Sequence, residues 1–478
     1  MAEKKTAKKT KVVKTTKTET TPTATTKTIK NNRVRNTSVQ KKKTASVQKK
    51  KTTSVQTKKI LKEVLDKIKP NSQEKNFVES LVKKTTTKLN KELSKFNAKA
   101  VVGGSTAKDT WLKENHEIDI FVLFNDENVK IGAGKKIQTK TISDVLDEVL
   151  NKCFSNIQRL KGSRDYFQAY TGTYTLEFIP IVEIKKSEQA KNITDISMLH
   201  VEWVKKNVKN KDEVRLLKQF TKANKLYGAE SHIKGISGYV LEIITGFYGS
   251  FLGVLKGASV WTDKKVIDIK KYHRNVYFSL NKAKLESPLI IIDPVDKERN
   301  AAAALGEEKY KEFIRLSKAF LKKPLPKFFE QKKSQLESLK KKSEQNQKIK
   351  KTIIILEVKP LEGKSDIVGC KLIKAYEKIR GKLKEFKIKK SGWEWDNPEK
   401  AYFWYEFENL KIPEIKEITG PPAEMKQAVE NFRKKHKKTF IKNKRIYAKE
   451  QRKITNAFFL MEEIIKDKEL KVKKIKIL

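Results

Sequence analysis

Residues 101–124 read VVGGSTAKDTWLKENHEIDIFVLF, and the way this stretch divides decides the fold. It predicts a strand, a turn at Gly103-Gly104-Ser105, a short helix and a second strand carrying Glu117 and Asp119. Side chains alternate along a strand, so these two carboxylates share one face. Ile118, Ile120, Val122 and Phe124 occupy the other, which suits a buried side. Carboxylates on an otherwise apolar strand are costly to desolvate without partners. A divalent cation is the natural one, since Mg²⁺ takes hard oxygen ligands and substrate phosphates. The glycine turn suits the phosphates: without Cβ atoms its backbone approaches a polyphosphate, and N–H groups opening the helix favour anions.

A Gly-Gly-Ser turn followed by two acids one residue apart is similar to the signature of the polymerase-β-like nucleotidyltransferases. Neither G-x-G-x-x-G nor the full G-x-x-x-x-G-K-[ST] occurs (Gly363-Lys364-Ser365 has Val358 where the first glycine would stand), so the Rossmann and P-loop readings are poor. Downstream, residues 140–160 read as a helix with Ile142, Val145, Val149 and Leu150 inward. The run Tyr174–Ile181 reads as a strand with one acid, Glu177, a candidate third carboxylate beside Glu117 and Asp119.

The chain has 478 residues, enough for about three domains. Its formal net charge is +51. Residues 1–59 account for +17 and the rest for +34, so the excess is not confined to one end. A polyanion partner is expected, nucleic acid before membrane. Two cysteines, Cys153 and Cys370, exclude a disulfide framework and a cysteine zinc site. With no long apolar run and no secretory leader, a soluble cytoplasmic protein is expected.

Residues 1–59 are Lys/Thr-rich, with Ser-Val-Gln repeated at 38, 46 and 54. They lack the apolar surface to offset chain entropy and read as disordered, either an RNA-binding arm or a passive extension. Residues 60–98 read as two helices broken at Pro70, with Ser72 capping the second. Residues 306–350 read as helical, 352–358 as a strand, 367–386 as a helix and 402–407 as an aromatic strand. That order suits an α+β module of ferredoxin-like type. Residues 423–438 read as a basic helix and 453–466 as a closing helix.

Residues 191–305 carry a more specific pattern: DISMLH (195–200), EVRLLK (213–218), YGAE (227–230), KGISGY (234–239), YGSF (248–251), DPVD (293–296) and RNAA (299–302). In this order and spacing they resemble the archaeal-type, class I CCA-adding enzymes, which are tRNA nucleotidyltransferases. The resemblance implies an α+β multidomain protein. It has a polymerase-β-like catalytic head (60–190), a helical neck and body with nucleotide-binding motifs (191–305) and an RNA-binding α+β body and ferredoxin-like tail (306–415). A segment returning to the body (416–478) and the disordered basic arm (1–59) complete it.

The resemblance further implies template-independent addition of C, C and A to the 3′ end of tRNA from CTP and ATP, by two-metal-ion transfer with Mg²⁺. Glu117, Asp119 and Glu177 take the places of the metal-binding catalytic carboxylates, with Glu177 where the family usually has Asp. Gly104, Ser105, Lys108, His200, Lys218 and Tyr227 match positions that hold the triphosphate; Lys108 stands where Arg is usual, keeping charge but losing the bidentate fork. Arg299 matches the residue that reads the incoming base. The tRNA partner is gripped at its acceptor-stem and T-arm half, and a homodimer is allowed. Read without the resemblance, Lys218 is a solvated lysine, His200 a helix-end or core histidine, Tyr227 a packed ring at a helix stop and Arg299 a local ion-pair partner of Asp296. A poly(A)-type polymerase on the same fold and a catalytically silent RNA-binding protein are the competing readings.

Overall fold

The structure is a computed structural model that describes residues 55–478 except 114, 132–137, 333, 346–351, 364 and 398. The arm expected over 1–59 falls almost wholly outside the described residues. Everything below lies within one compact unit, Lys59–Leu478.

The first part of that unit is built on seven strands: β1 (Lys99–Val102), β2 (Glu117–Phe124), β3 (Asn128–Ile131), β4 (Gln138–Thr141), β5 (Ile157–Leu160), β6 (Tyr166–Thr171) and β7 (Tyr174–Val182). Five form one sheet in the order β1-β2-β7-β6-β5, with β3 and β4 a separate hairpin. Within the five, β2 and β7 run parallel and the other pairs antiparallel. The expected alternation holds on β2: Ile118, Ile120, Val122 and Phe124 are buried with Val145, Leu146, Val149 and Leu150 of the Ile142–Cys153 helix and Leu89 and Leu93 of the Ser72–Leu93 helix.

Two local expectations are corrected. Asn71, not Ser72, caps the second helix, accepting from the Glu74 N–H while the Glu74 side chain accepts from the Asn71 N–H. The helix expected over 140–160 stops at Cys153, and residues 157–160 are β5, hydrogen-bonded to β6. Arg159 explains the override: it pairs with Asp144, Asp147 and Asp165 from three sides, which the extended backbone allows.

Beyond the sheet lies a helical core made by Ser197–Asn207, Lys211–Ala223, Gly238–Tyr248, Phe251–Ala258 and Glu307–Lys322. Phe220 is at its centre, fully buried, with the rings of Phe251, Phe313, Phe320, Phe328 and Phe329 around it. Three strands, β8 (Lys265–Ile267), β9 (Leu289–Asp293) and β10 (Asp296–Asn300), lie against these helices in the order β10-β9-β8. Every residue of β9 is buried: Leu289 and Ile291 enter the helical core, while Ile290 and Ile292 face a second small cluster. No single described helix is long and apolar enough to cross a membrane.

The last part holds β11 (Ile353–Lys359), β12 (Ile388–Asn397), β13 (Lys400–Phe407), β14 (Ile415–Pro422), β15 (Thr439–Lys442), β16 (Arg445–Gln451) and β17 (Lys474–Ile477). β12, β13, β11 and β17 form an antiparallel sheet in that order, and the helices Ser365–Lys382 and Ala457–Ile464 share its core. Omitting the inserted β14-β16-β15 sheet and its Lys426–Lys435 helix, the chain order is βαββαβ, the ferredoxin-like topology.

One side chain ties the loop after the glycine turn of the five-stranded sheet to the helical core. Arg215, 1% exposed, donates to the Trp111 carbonyl (3.0 Å), the Asp109 carbonyl (2.6 Å) and Asp212 Oδ1 (2.6 Å), and pairs with the Asp109 carboxylate. It therefore fixes the loop that leaves the glycine turn. Arg215→Ala is expected to cost about 2–4 kcal/mol, below the ~3–5 of a fully buried pair because both carboxylates left behind still reach water. The check is the thermal midpoint, which should fall, with Arg215→Lys recovering only part because one ammonium cannot span three acceptors. An unchanged midpoint in Arg215→Ala would mean the loop is held elsewhere.

Candidate active site

The parallel pairing of β2 and β7 sets Asp119 directly opposite Glu177, with Glu117 opposite Thr175. The three carboxylates thus sit on two adjacent central strands. Gly104 lies against Asp119: its φ is +53°, and a Cβ there would fall 1.6 Å from Asp119 Oδ2. Only glycine fits that backbone and that approach. Gly103 is similarly closed off, since its Cβ would lie 2.4 Å from the Phe121 ring. Ser105 follows within the short Gly104–Ala107 helix. No lysine or arginine pairs directly with Glu117, Asp119 or Glu177 among the described residues. Gln168, on β6, donates to Glu177 Oε1 at 2.5 Å.

Burial, then the Glu117 charge, pushes the Asp119 carboxyl up to about 6, against the pull of Lys108 and Lys218. The same two causes push Glu177 up to about 8. These are carboxylates held close together in a poorly solvated place and left short of positive charge. Among the described residues no three acidic, histidine or cysteine side chains already converge as a closed metal-ligand cluster.

The positive side of the cleft is held by two carboxylates to which the sequence reading gave no role, although one of them, Asp293, opens the DPVD motif. Glu242, fully buried on the Gly238–Tyr248 helix, accepts from Lys108 (2.7 Å), Lys218 (3.2 Å) and Thr110 Oγ1 (2.6 Å). Burial would raise its carboxyl, but Lys108 and Lys218 hold it down at about 2. Lys218 is buried rather than solvated, and donates also to the Thr110 hydroxyl and carbonyl. Burial lowers its ammonium to about 8, with Glu242 opposing. Asp293, fully buried at the end of β9, gathers His200 Nε2 (2.9 Å), Arg299 Nη1 (2.6 Å) and the Tyr239 hydroxyl (2.9 Å).

The His200 and Tyr239 rings stack at 3.9 Å, and Lys108 lies 5.8 Å from the Tyr239 centroid. Burial pushes the His200 imidazole below its ordinary range, with Asp293 opposing. Tyr227 approaches the same region: its hydroxyl would be 2.8 Å from a Cβ on Gly238. Lys108, Lys218, His200, Tyr227 and Arg299 are therefore connected through Glu242, Asp293, Tyr239 and Gly238, and reach the acids through the pull of Lys108 and Lys218 on Asp119. The missed residues had a signal. Glu242 is the one charge in GYVLEIITGFY, and Asp293 ends the apolar run LIIID.

A carboxyl held above its ordinary value keeps its proton in the folded state after the unfolded chain has lost its own. Folding stability therefore falls as pH rises from about 4, through the raised values of about 6 and 8. Asp119→Asn and Glu177→Gln remove that loss. Without divalent cations, each variant should melt with wild type at pH 4 and above it at pH 8.5. Parallel melting curves across that range would show that the two acids are well solvated.

Three family models match the chain: a nucleotidyltransferase domain over residues 82–193, the second domain of tRNA nucleotidyltransferase over 212–330 and the C-terminal domain of the CCA-adding enzyme over 350–475. A CCA-adding enzyme of Nanoarchaeum equitans is 35% identical over 71% of this chain and 80% of its own length. One from Methanocaldococcus jannaschii is 32% identical over 85% and 90%, and one from Pyrobaculum islandicum 27% identical over 83% and 91%. With the first two of these relatives above 30% identity and matched over most of their length, the chain belongs to the CCA-adding enzyme family of tRNA nucleotidyltransferases.

Proposed function

We propose that this chain adds C, C and A, without a nucleic-acid template, to the 3′ end of tRNA, taking CTP and ATP as donors. The observation that carries the reading is Asp119 abreast of Glu177 on paired parallel strands, directly beneath Gly104. In each addition the RNA 3′ oxygen bonds to the α-phosphorus, the bond to the β-phosphate breaks and pyrophosphate leaves. The hydroxyl proton passes to a nearby base or water.

Glu117, Asp119 and Glu177 form a hard-oxygen donor set with no basic partner among the described residues, which suits a divalent cation such as Mg²⁺, completed by triphosphate oxygens. A pair of ions held there would supply charge neutralisation and a more acidic 3′-hydroxyl. Glu177 takes the third place across the one-strand step from Asp119. Gly104 and Ser105 offer their turn to the phosphates, and Lys108, Lys218, His200 and Tyr227 hold the triphosphate from the opposite side. Lys108 and Lys218 already oppose Glu242, so a triphosphate draws on cations that are held in place beforehand. Arg299 reads the incoming base, since its fork, steadied by Asp293, donates to acceptors that CTP and ATP present and that GTP and UTP do not satisfy equally.

The organisation proposed is a head over 60–190, a neck over 191–305, an RNA-binding region over 306–415 and a return segment over 416–478. The +34 carried outside residues 1–59 supports a grip on the acceptor-stem and T-arm half of tRNA through its backbone. Action in the cytoplasm follows from that substrate.

Asp119→Ala should abolish nucleotide addition, by at least about a thousandfold, while tRNA affinity stays within about twofold. Loss of both would make the acid structural. Arg299→Ala should blur the choice between CTP and UTP more than it slows transfer, read as the ratio of kcat/KM values. An unchanged ratio would remove Arg299 from base selection.

A further inference from the structure

Residues 269–285, IKKYHRNVYFSLNKAKL, leave the helical core between β8 and β9 and serve no contact described so far. They are bolted down from beneath. Val276 and Leu280, one helical turn apart, are each 6% exposed and pack with Ile290 and Ile292 on the outer face of β9. The Tyr272 hydroxyl donates to the Pro294 carbonyl (2.9 Å), and His273 Nε2 lies 2.8 Å from the Lys297 carbonyl. The segment is therefore fixed to the β9–β10 corner that carries Asp293 and Arg299.

What points outward is not needed for that anchoring. Phe278 is 90% exposed and Tyr277 48%, side by side on the Val276–Ser279 turn of helix. An exposed aromatic pair on a firmly seated turn costs solvation and returns nothing to the fold. Around it the segment carries Lys270, Lys271, Arg274, Lys282 and Lys284 and no acid. None of these five has a carboxylate partner among the described residues. Exposed rings interleaved with unpaired cations are the chemistry of a single-stranded nucleic-acid platform: bases stack on the rings while the phosphates lie on the cations.

We propose that residues 270–284 bind the RNA strand that feeds its 3′ end toward Arg299, with Phe278 and Tyr277 stacking on unpaired bases. This rests on the reading of the chain as a tRNA-extending enzyme. The occupant is RNA rather than a second copy of the chain, because five unneutralised cations on each copy would repel across a two-fold contact.

The test uses the full chain with a tRNA transcript ending in CC. Phe278→Ala should raise both Kd and KM for the tRNA by roughly fivefold to a hundredfold, the loss of one base stack. The KM for ATP and the melting temperature should not move, and Phe278→Trp should restore affinity where Phe278→Leu does not. Lys270→Glu with Lys271→Glu should weaken binding and flatten its salt dependence. Unchanged tRNA affinity in Phe278→Ala, or a change in oligomeric state without one, would overturn the platform. A wild-type protein that binds RNA through Phe278 but adds no nucleotide would leave the platform standing and overturn the enzyme reading instead.

Discussion

A carboxylate with no access to water must be matched by cations, and Glu242 is matched by two from different parts of the chain. Lys108 comes from the turn that follows Gly104, Lys218 from the Lys211–Ala223 helix, and Thr110 closes the remaining lone pair. That arrangement draws the glycine turn, the catalytic sheet and the helical core to a single buried point. Arg215, one helical turn before Lys218, repeats the constraint on Asp109 and Trp111. The cleft is defined because leaving any of these charges unpaired costs more than the entropy of holding them.

The same logic sorts the cleft into two sides. The β2–β7 side buries Asp119 and Glu177 beside the Glu117 charge with too few cations, so these two carboxyls rise. The helical side concentrates basic groups and holds each with a buried acid: Glu242 for the lysines, Asp293 for His200 and Arg299. On the proposed reading, a nucleoside triphosphate with divalent ions would complete such a cleft from both directions, the acids holding the ions and the lysines the phosphates. Preorganisation of this kind leaves little to rearrange when the substrate enters.

Much of this was legible in the chain. The 101–124 stretch combines a turn that demands glycine with a strand whose two faces differ in kind, and both features are local. The register that sets Asp119 against Glu177 is not local, and followed only because Glu177 is the single acid on its strand. Long-range balance stayed hidden: Glu242 and Asp293 look like isolated acids in apolar runs until the fold supplies their cations. Tertiary pairing also overrode local pattern at β5, where Arg159 and the β6 edge turn an expected helix end into a strand. The closing strand β17 is only Lys474–Ile477, alternating Lys and Ile, too short and too charged to announce that it completes a sheet begun at Ile353.

The account centres on one site that extends an RNA 3′ end by a fixed sequence and stops. The most direct test gives the purified protein Mg²⁺, CTP and ATP with three tRNA transcripts, ending before CCA, after C and after CC. Addition of CCA, CA and A respectively, with no further growth, is the predicted result. Continued ATP addition to all three, or tight tRNA binding without any addition, would contradict it.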